Sequence, residues 1–208
     1  MLLKLENENV LELESFNRNG DRYYIIPQSG VAVPSVTSVI YKGVNFPDTP
    51  VMKLARDRGT RVHEVCEQYL IEGKVSGIDH FTRDSFNKLQ VEIDKYLTEV
   101  NLIEGSLYSN KLLSAGRVDC IGVWDGRKSI VDWKTATNPK KLTGIKSYFI
   151  QAAAYAFMWN EHCSDCANVI SQLVVLVTPD NHPCAQIFAE PYDKYYEEMY
   201  KKFVLDRQ

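Results

Sequence analysis

The sequence contains no apolar run long enough to span a bilayer. Its longest candidate, around Ala152 to Trp159, falls far short of the roughly 20 residues that a membrane helix needs. A membrane role is therefore not expected. The chain also lacks an excess of either charge: 24 Lys and Arg stand against 27 Asp and Glu, for a net charge of −3. A polyanion binder with this balance cannot rely on overall charge and needs a local basic groove. Cysteine is sparse: the five are odd in number and dispersed. That usage argues against a disulfide scaffold and for a reducing compartment. Cys163 and Cys166, with His182 and Cys184, imitate a metal-binding set. The strand read over Asn168 to Val177 would span about 30 Å at 3.3 Å per residue and hold Cys166 and Cys184 apart, so no structural metal is expected. Cys66, one helical turn from His63, reads as a small core residue. The opening residues, Met1 to Glu8, are acidic and resemble neither a secretory signal nor an Arg-rich transit peptide. A protein acting in the cytoplasm where it is made is the expectation.

What remains is ordinary globular composition. The chain has 208 residues, 45% of them hydrophobic and 25% charged, enough for one domain with a sizeable core. No repeat, low-complexity tract or interdomain linker is visible. Val10 to Phe16 and Arg22 to Pro27 read as a hairpin around Asn19-Gly20. Residues 1–32 are thus an N-terminal hairpin extension, and 33–208 the core. Val33 to Ile40 leads into a Pro-punctuated loop. Val51 to Glu72 has helical spacing that Gly59 interrupts as a kink or a break. Arg83 to Val100 is amphipathic. Strands are expected at Glu104 to Leu113, Arg117 to Trp124 and Lys128 to Thr135. A helix over Ser147 to His162 follows. Strands at Asn168 to Val177 and Ala185 to Ala189 precede a polar helix over Tyr192 to Val204. This order predicts an α/β fold with a mixed central sheet flanked by helices.

The residues with most to say are Asp119, Asp132 and Lys134. Asp125-Gly126 is a strong hairpin dipeptide, so the strands on either side fold back antiparallel and bring Asp119 toward Asp132 and Lys134. The last two are two apart and leave the same sheet face. A lone Asp-x-Lys on a strand is usually a solvated ion pair. Here it sits among Ile121, Val123, Ile130, Val131 and Trp133, where charges are rare unless they serve something. Two carboxylates and an amine on one face suit a hard cation beside a charged group, the set that phosphodiester hydrolysis needs.

His63 and Glu67 share a helix face, as do Gln151 and Tyr155. Arg56, Arg58 and Arg61 precede His63, and Lys140, Lys141 and Lys146 follow the Asp-x-Lys strand. Such groups are commonly solvated; beside a phosphodiester site they are candidate backbone contacts. Ser35 and Thr37 are candidate neutral phosphate donors. Tyr23, Tyr24, Phe46 and Tyr148 are candidate base-stacking rings.

Taken together, Asp119, Asp132-Trp133-Lys134, Gln151-x-x-x-Tyr155 and His63 within Gly59 to Glu64 resemble the PD-(D/E)xK nuclease superfamily, in its RecB-like branch. Asp132 to Lys140, with Pro34 to Thr37 upstream, is most similar to the exonucleases of mitochondrial genome maintenance and their phage-encoded relatives. The resemblance covers roughly residues 33 to 205. It implies a restriction-endonuclease-like core and a Mg2+- or Mn2+-dependent exonuclease that takes single-stranded DNA or DNA with free ends, in a bacterial or phage-infected cell. It further implies His63, Asp119, Asp132 and the Trp133 carbonyl as metal ligands, and Lys134 on the phosphate and attacking water. Gln151 and Tyr155 are implied to steady the phosphate or Lys134. Asp132 stands where many members carry Glu. An endonuclease or flap-type nuclease on the same fold, or a non-catalytic nucleic-acid-binding module, are the alternatives. The intact Asp119, Asp132 and Lys134 argue against the module.

Overall fold

A computed structural model describes residues 12–27, 29–163 and 166–207. Three short strands come first: β1 (Ser15–Arg18), β2 (Asp21–Ile25) and β3 (Ala32–Pro34) form an antiparallel sheet. Asn19 (φ 54°) and Gly20 (φ 87°) both adopt left-handed backbone between β1 and β2, as a type I′ hairpin turn requires. The first strand begins and ends later than the alternation of Val10 to Phe16 suggested, and residues before 12 lie outside the described part. Leu13, Tyr24, Ile26 and Val33 pack with Tyr108 and Ala115. An isolated parallel bridge between Ser35 and Ala115 joins this unit to the main sheet.

The segment Val33 to Ile40 divides between β3 and a short helix. Ser35 caps the short helix α1 (Val36–Ile40) by accepting from the Ser38 N–H, a local bond that competes with a strand ladder. Helix α2 (Pro50–Glu72) opens on Thr49 as N-cap with Pro50 behind it, and closes on Gly73 at φ 70°, the expected start and stop signals. It runs unbroken through Gly59, because a helical glycine costs only about 1 kcal/mol and packing on the sheet outweighs that. Helix α3 (His80–Tyr96) is capped by Asp79. It ends before the expected Val100, since Leu97 and Val100 pair with Trp124 and Gly122 instead.

The five main strands are β4 (Leu97–Ser109), β5 (Ser114–Trp124), β6 (Arg127–Ala136), β7 (Gln172–Pro179) and β8 (Gln186–Pro191). They lie side by side in sequence order, antiparallel except for β6 and β7. That parallel pair needs a crossover, which α4 (Lys146–His162) supplies. Helix α5 (Asp193–Phe203) packs on α4. The turn at Asp125 (φ 47°) and Gly126 (φ 75°) closes the β5–β6 hairpin as expected.

Two apolar layers hold the sheet. On one face α1, α4 and α5 pack over Ile121, Ile130, Leu173, Val175 and Val177. On the other, α2 and α3 cover Ile103, Cys120, Val131, Trp133, Val174 and Leu176. Helix α4 is apolar nearly all round, with Phe149 to Ala156 buried, because it lies between the sheet and α5. The result is a mixed α/β fold with a five-stranded mixed sheet flanked by helices.

Candidate metal centre

The site forms where β5 and β6 part. Their ladder runs from the Trp124–Arg127 pair to Cys120–Val131 and stops there. Next in line, Asp119 and Asp132 face each other. Instead of a ladder bond, the Asp119 carboxylate accepts from the Trp133 N–H at 3.0 Å. Val118 and Cys120, two apart, pack in opposite layers, so β5 turns over at Asp119. β6 stays straight because β7 continues to pair with it from Ser129 to Ala136. The Asp119 side chain therefore fills the gap between the separating strands and is 6% exposed.

Three elements deliver the remaining groups. His63 projects from α2, and its Nδ1 lies 3.1 Å from Glu104 Oε1 and 3.4 Å from Asp119 Oδ1. Glu104 belongs to β4, directly across from Asp119, and holds an uncommon φ of 46°. Arg117 Nε donates to the second Glu104 oxygen at 2.9 Å, which turns Oε1 toward His63. The potential ligand atoms of His63, Glu104 and Asp119 lie within 4.8 Å of one another and form a cluster able to hold a metal ion. Beside it, Lys134 Nζ donates to Asp132 Oδ1 at 2.6 Å. Both side chains leave the same face of β6, as their spacing requires. The other Asp132 oxygen is buried with no hydrogen-bond partner. A buried acceptor left unpaired costs about 1–3 kcal/mol, and a bound cation would satisfy it. These residues fit a hard divalent cation.

The charge balance points the same way. Burial alone would lower the His63 pKa, yet the Asp119 and Glu104 carboxylates outweigh it and push it up to about 10. Burial would raise Asp119, but the cationic His63 and Lys134 hold it below the usual carboxylate range. Asp132 goes the other way: burial, with Asp119 alongside, lifts it well above that range despite Lys134. Burial opposes the charge on Lys134, but Asp132 and Asp119 raise its pKa further. The carboxylates thus outweigh the local cations, and His63 carries a proton where a metal ion would serve better.

Gln151 and Tyr155 stand on the α4 face toward the site. Gln151 Nε2 donates to the Tyr155 hydroxyl at 3.4 Å, and both side chains are buried. Tyr155 reaches β5 because residue 116 is glycine. A Cβ there would lie 2.9 Å from the Tyr155 ring and hydroxyl. The Lys134 ammonium also lies 5.6 Å from the centroid of the Tyr148 ring.

The structure does not gather every expected residue. Asp132 lies outside the tight His63–Glu104–Asp119 group, and Trp133 meets it through its N–H. Glu67 stands 3.9 Å from Arg117 at the rim. Ser35 is buried and bonded to Thr37 and Ser38, whereas Thr37 is exposed. Arg56 pairs with Asp48 at 2.7 Å, Arg58 with Asp180 at 2.8 Å, Arg61 loosely with Asp79 at 4.0 Å, and Lys146 with Glu198 at 2.7 Å. Lys141 is exposed. The Lys140 backbone makes two bonds to the Gln186 side chain, at 2.7 and 3.1 Å, which tie its loop to β8. Tyr24 is buried in the N-terminal cluster. Tyr23 stacks on Phe16, and Phe46 sits edge-on to Tyr41. Glu104 is the group the sequence reading missed. Its signal is an acidic residue in an apolar strand, across the hairpin from Asp119.

Fold and site together define a mixed α/β protein with a histidine–carboxylate cluster able to hold a cation, beside a half-buried lysine. The chain is 23% identical over 190 residues to human mitochondrial genome maintenance exonuclease 1, covering 79% of this chain and 55% of that protein. The mouse protein of the same name matches at the same identity and coverage. The chain thus spans about half the length of the curated relatives it matches. No family model matches it. A solved structure, that of SSO0001, superposes with a TM-score of 0.30 and 12% identity over 82% of this chain and 84% of that one, too loose a likeness to bear on the fold. Among the described residues, no helix is long and apolar enough to cross a membrane.

Proposed function

We propose that the protein is a metal-dependent deoxyribonuclease of the RecB-like PD-(D/E)xK type, acting as an exonuclease on single-stranded DNA or DNA with free ends. On this reading residues 33–208 are the nuclease core and 1–32 an extension. One observation carries the proposal. Asp119, Asp132 and Lys134 meet His63 and Glu104 where β5 and β6 part, and the buried Asp132 oxygen there has no partner. The similarity to an exonuclease supports the same activity.

His63, Glu104 and Asp119 would hold the cation, with Asp132 and the Trp133 carbonyl as further ligands. Oxygen-rich donors suit magnesium, and the imidazole favours manganese. When bound, the ion polarises the phosphate and lowers the pKa of its water. Lys134 is favoured in its charged form by the Asp132 and Asp119 carboxylates. It pairs with a phosphate oxygen and orients the attacking water, stabilising charge that develops in the transition state. Asp132 keeps the ammonium in place. Gln151 and Tyr155 steady Lys134 from α4. Thr37, Arg56, Arg61, Lys140, Lys141 and Lys146 serve as backbone contacts after exchanging their local partners for phosphates. Ser35 supports that surface by capping α1. Cys66 and Cys120, buried and outside any disulfide, suit a reducing cytoplasm.

Incubating the protein with linear and circular single strands, with Mg2+ or with chelator, tests the reading. Cation-dependent loss of the linear form alone is the expected outcome. Cleavage of the circle reassigns the protein as an endonuclease. Binding of both without cleavage removes catalysis altogether.

A further inference from the structure

Beside the cation centre lies a second concavity that the catalytic reading leaves without a role. Val51, Leu54, Arg58 and Arg61 are spaced three and four apart and share one stripe of α2. Farther along α2, Val65 is buried. The helices run in the same sense: Arg61 meets Asp79 at the start of α3, and Tyr69 meets Asp94 near its end. Around residues 51–61 the stripe is open. There it faces Phe81 in the first turn of α3 and Thr137 just after β6, enclosing a cleft of about 310 Å³. Its apolar walls stand bare: Val51 is 75% exposed, Leu54 65% and Phe81 73%. Large apolar groups gathered in one open cleft mark a binding surface.

The cleft and the site share helix α2. Gly59, between Arg58 and Arg61, faces Thr135 of β6, the residue after Lys134. Arg58 and His63 are five residues apart on one helix, about 7.5 Å along its axis. Thr137 is three residues beyond Lys134. Thr135 and Thr137 leave β6 on the face covered by α2, whereas Lys134 leaves it toward Tyr148 of α4, so an occupant would sit on the His63 side of the site.

The polar groups select the occupant. The Asp79 carboxylate accepts from the Phe81 and Thr82 N–H groups and the Thr82 hydroxyl, so its acceptor capacity is largely spent on capping α3. Arg61, only loosely paired and half exposed, is left for an anion at the rim. Arg58 is tied to Asp180 and presents an edge. An apolar slot with an aromatic wall, polar edges and one available guanidinium matches a flat heterocycle joined to a phosphate.

We infer that this cleft holds an unpaired nucleobase of the strand bound at the site, stacked on Phe81 and packed against Leu54, with the adjoining phosphate at Arg61. The inference rests on the nuclease reading and narrows its substrate: a base still in a duplex is paired and stacked and cannot enter, so the strand must be single at this step.

The test combines Phe81→Ala with a labelled single-stranded oligonucleotide, intact or carrying an abasic residue at successive positions near the cleaved end. Phe81 is exposed enough that melting in chelator should be unchanged. Stacking of one base changes affinity on the order of 5- to 100-fold. KM should rise by that order for the intact strand while kcat stays within about twofold. One abasic position should impose the same rise on the wild type and add nothing in Phe81→Ala. Binding of the intact strand in chelator, read by anisotropy, should weaken in parallel. Unchanged KM and Kd in Phe81→Ala, or a wild type that does not bind the strand, overturns the inference. A wild type that binds through Phe81 but never cleaves keeps the subsite and removes the nuclease reading.

Discussion

The proton on His63 offers a quantitative handle on the site. Its folded pKa of about 10 stands above the 6.5 of a free imidazole. The folded state therefore binds more protons than the unfolded chain between those values, and stability falls as pH rises through that window. The contribution is full below about pH 6.5 and gone above about pH 10. Taken whole, the shift corresponds to at most about 5 kcal/mol. The His63 side chain is 27% exposed, so screening reduces this to about 2 kcal/mol. For a chain of this length that is about 4–8 °C in Tm. Thermal melts in chelator between pH 6.5 and 9.5 should show the decline in wild type and a much flatter profile in His63→Gln. The buried thiols of Cys66 and Cys120, both raised by burial, add a slope of the same sign above about pH 8.5. The difference between the two proteins is thus the readout. Saturating Mn2+ should flatten the wild type, because the ion replaces the proton, and should release about one proton per site at pH 8. Parallel pH profiles for wild type and His63→Gln would refute the assignment of the proton to this histidine.

Further outcomes follow from the same geometry. Asp119→Ala or Asp132→Asn should lower cleavage on the order of 100-fold or more, while gel-shift binding of DNA persists. Lys134→Ala should still bind Mn2+ by calorimetry but cleave very slowly; loss of metal binding in a folded variant would give this lysine a different role. Gly116→Ala drives a methyl into the Tyr155 ring, and overpacking of this kind costs about 1–3 kcal/mol. Tm and activity should fall together, and Tyr155→Ala in the same chain should recover part of the Tm, a coupling read from the double-mutant cycle.

Much of this arrangement was legible from residues alone, where local chemistry decides. Asp125-Gly126 set the hairpin, and the two-residue period put Asp132 and Lys134 on one face. The helix expected over Ser147 to His162 is α4. What escaped depends on distant pairing. Leu97 and Val100 continue the helical spacing of α3, yet the sheet claims them through Trp124 and Gly122. Gly59 read as a kink or a break because the sequence does not show the strand lying beneath it. Glu104 was missed for a similar reason: only the register of β4 on β5 brings it opposite Asp119, and only the splaying of β5 from β6 leaves room for the cluster. Ser35 read as a phosphate donor because capping and ligand contact use the same hydroxyl.

The most direct test of the central claim is the fate of a 5′-labelled linear single strand with wild type and with Asp119→Asn, purified alike, in Mn2+, Mg2+ and chelator. The account predicts shortened products with wild type in either ion. It predicts none in chelator and almost none with Asp119→Asn, although that variant still binds the strand. Equal cleavage by the two proteins, or cleavage that survives chelation, would contradict a cation centre built on Asp119.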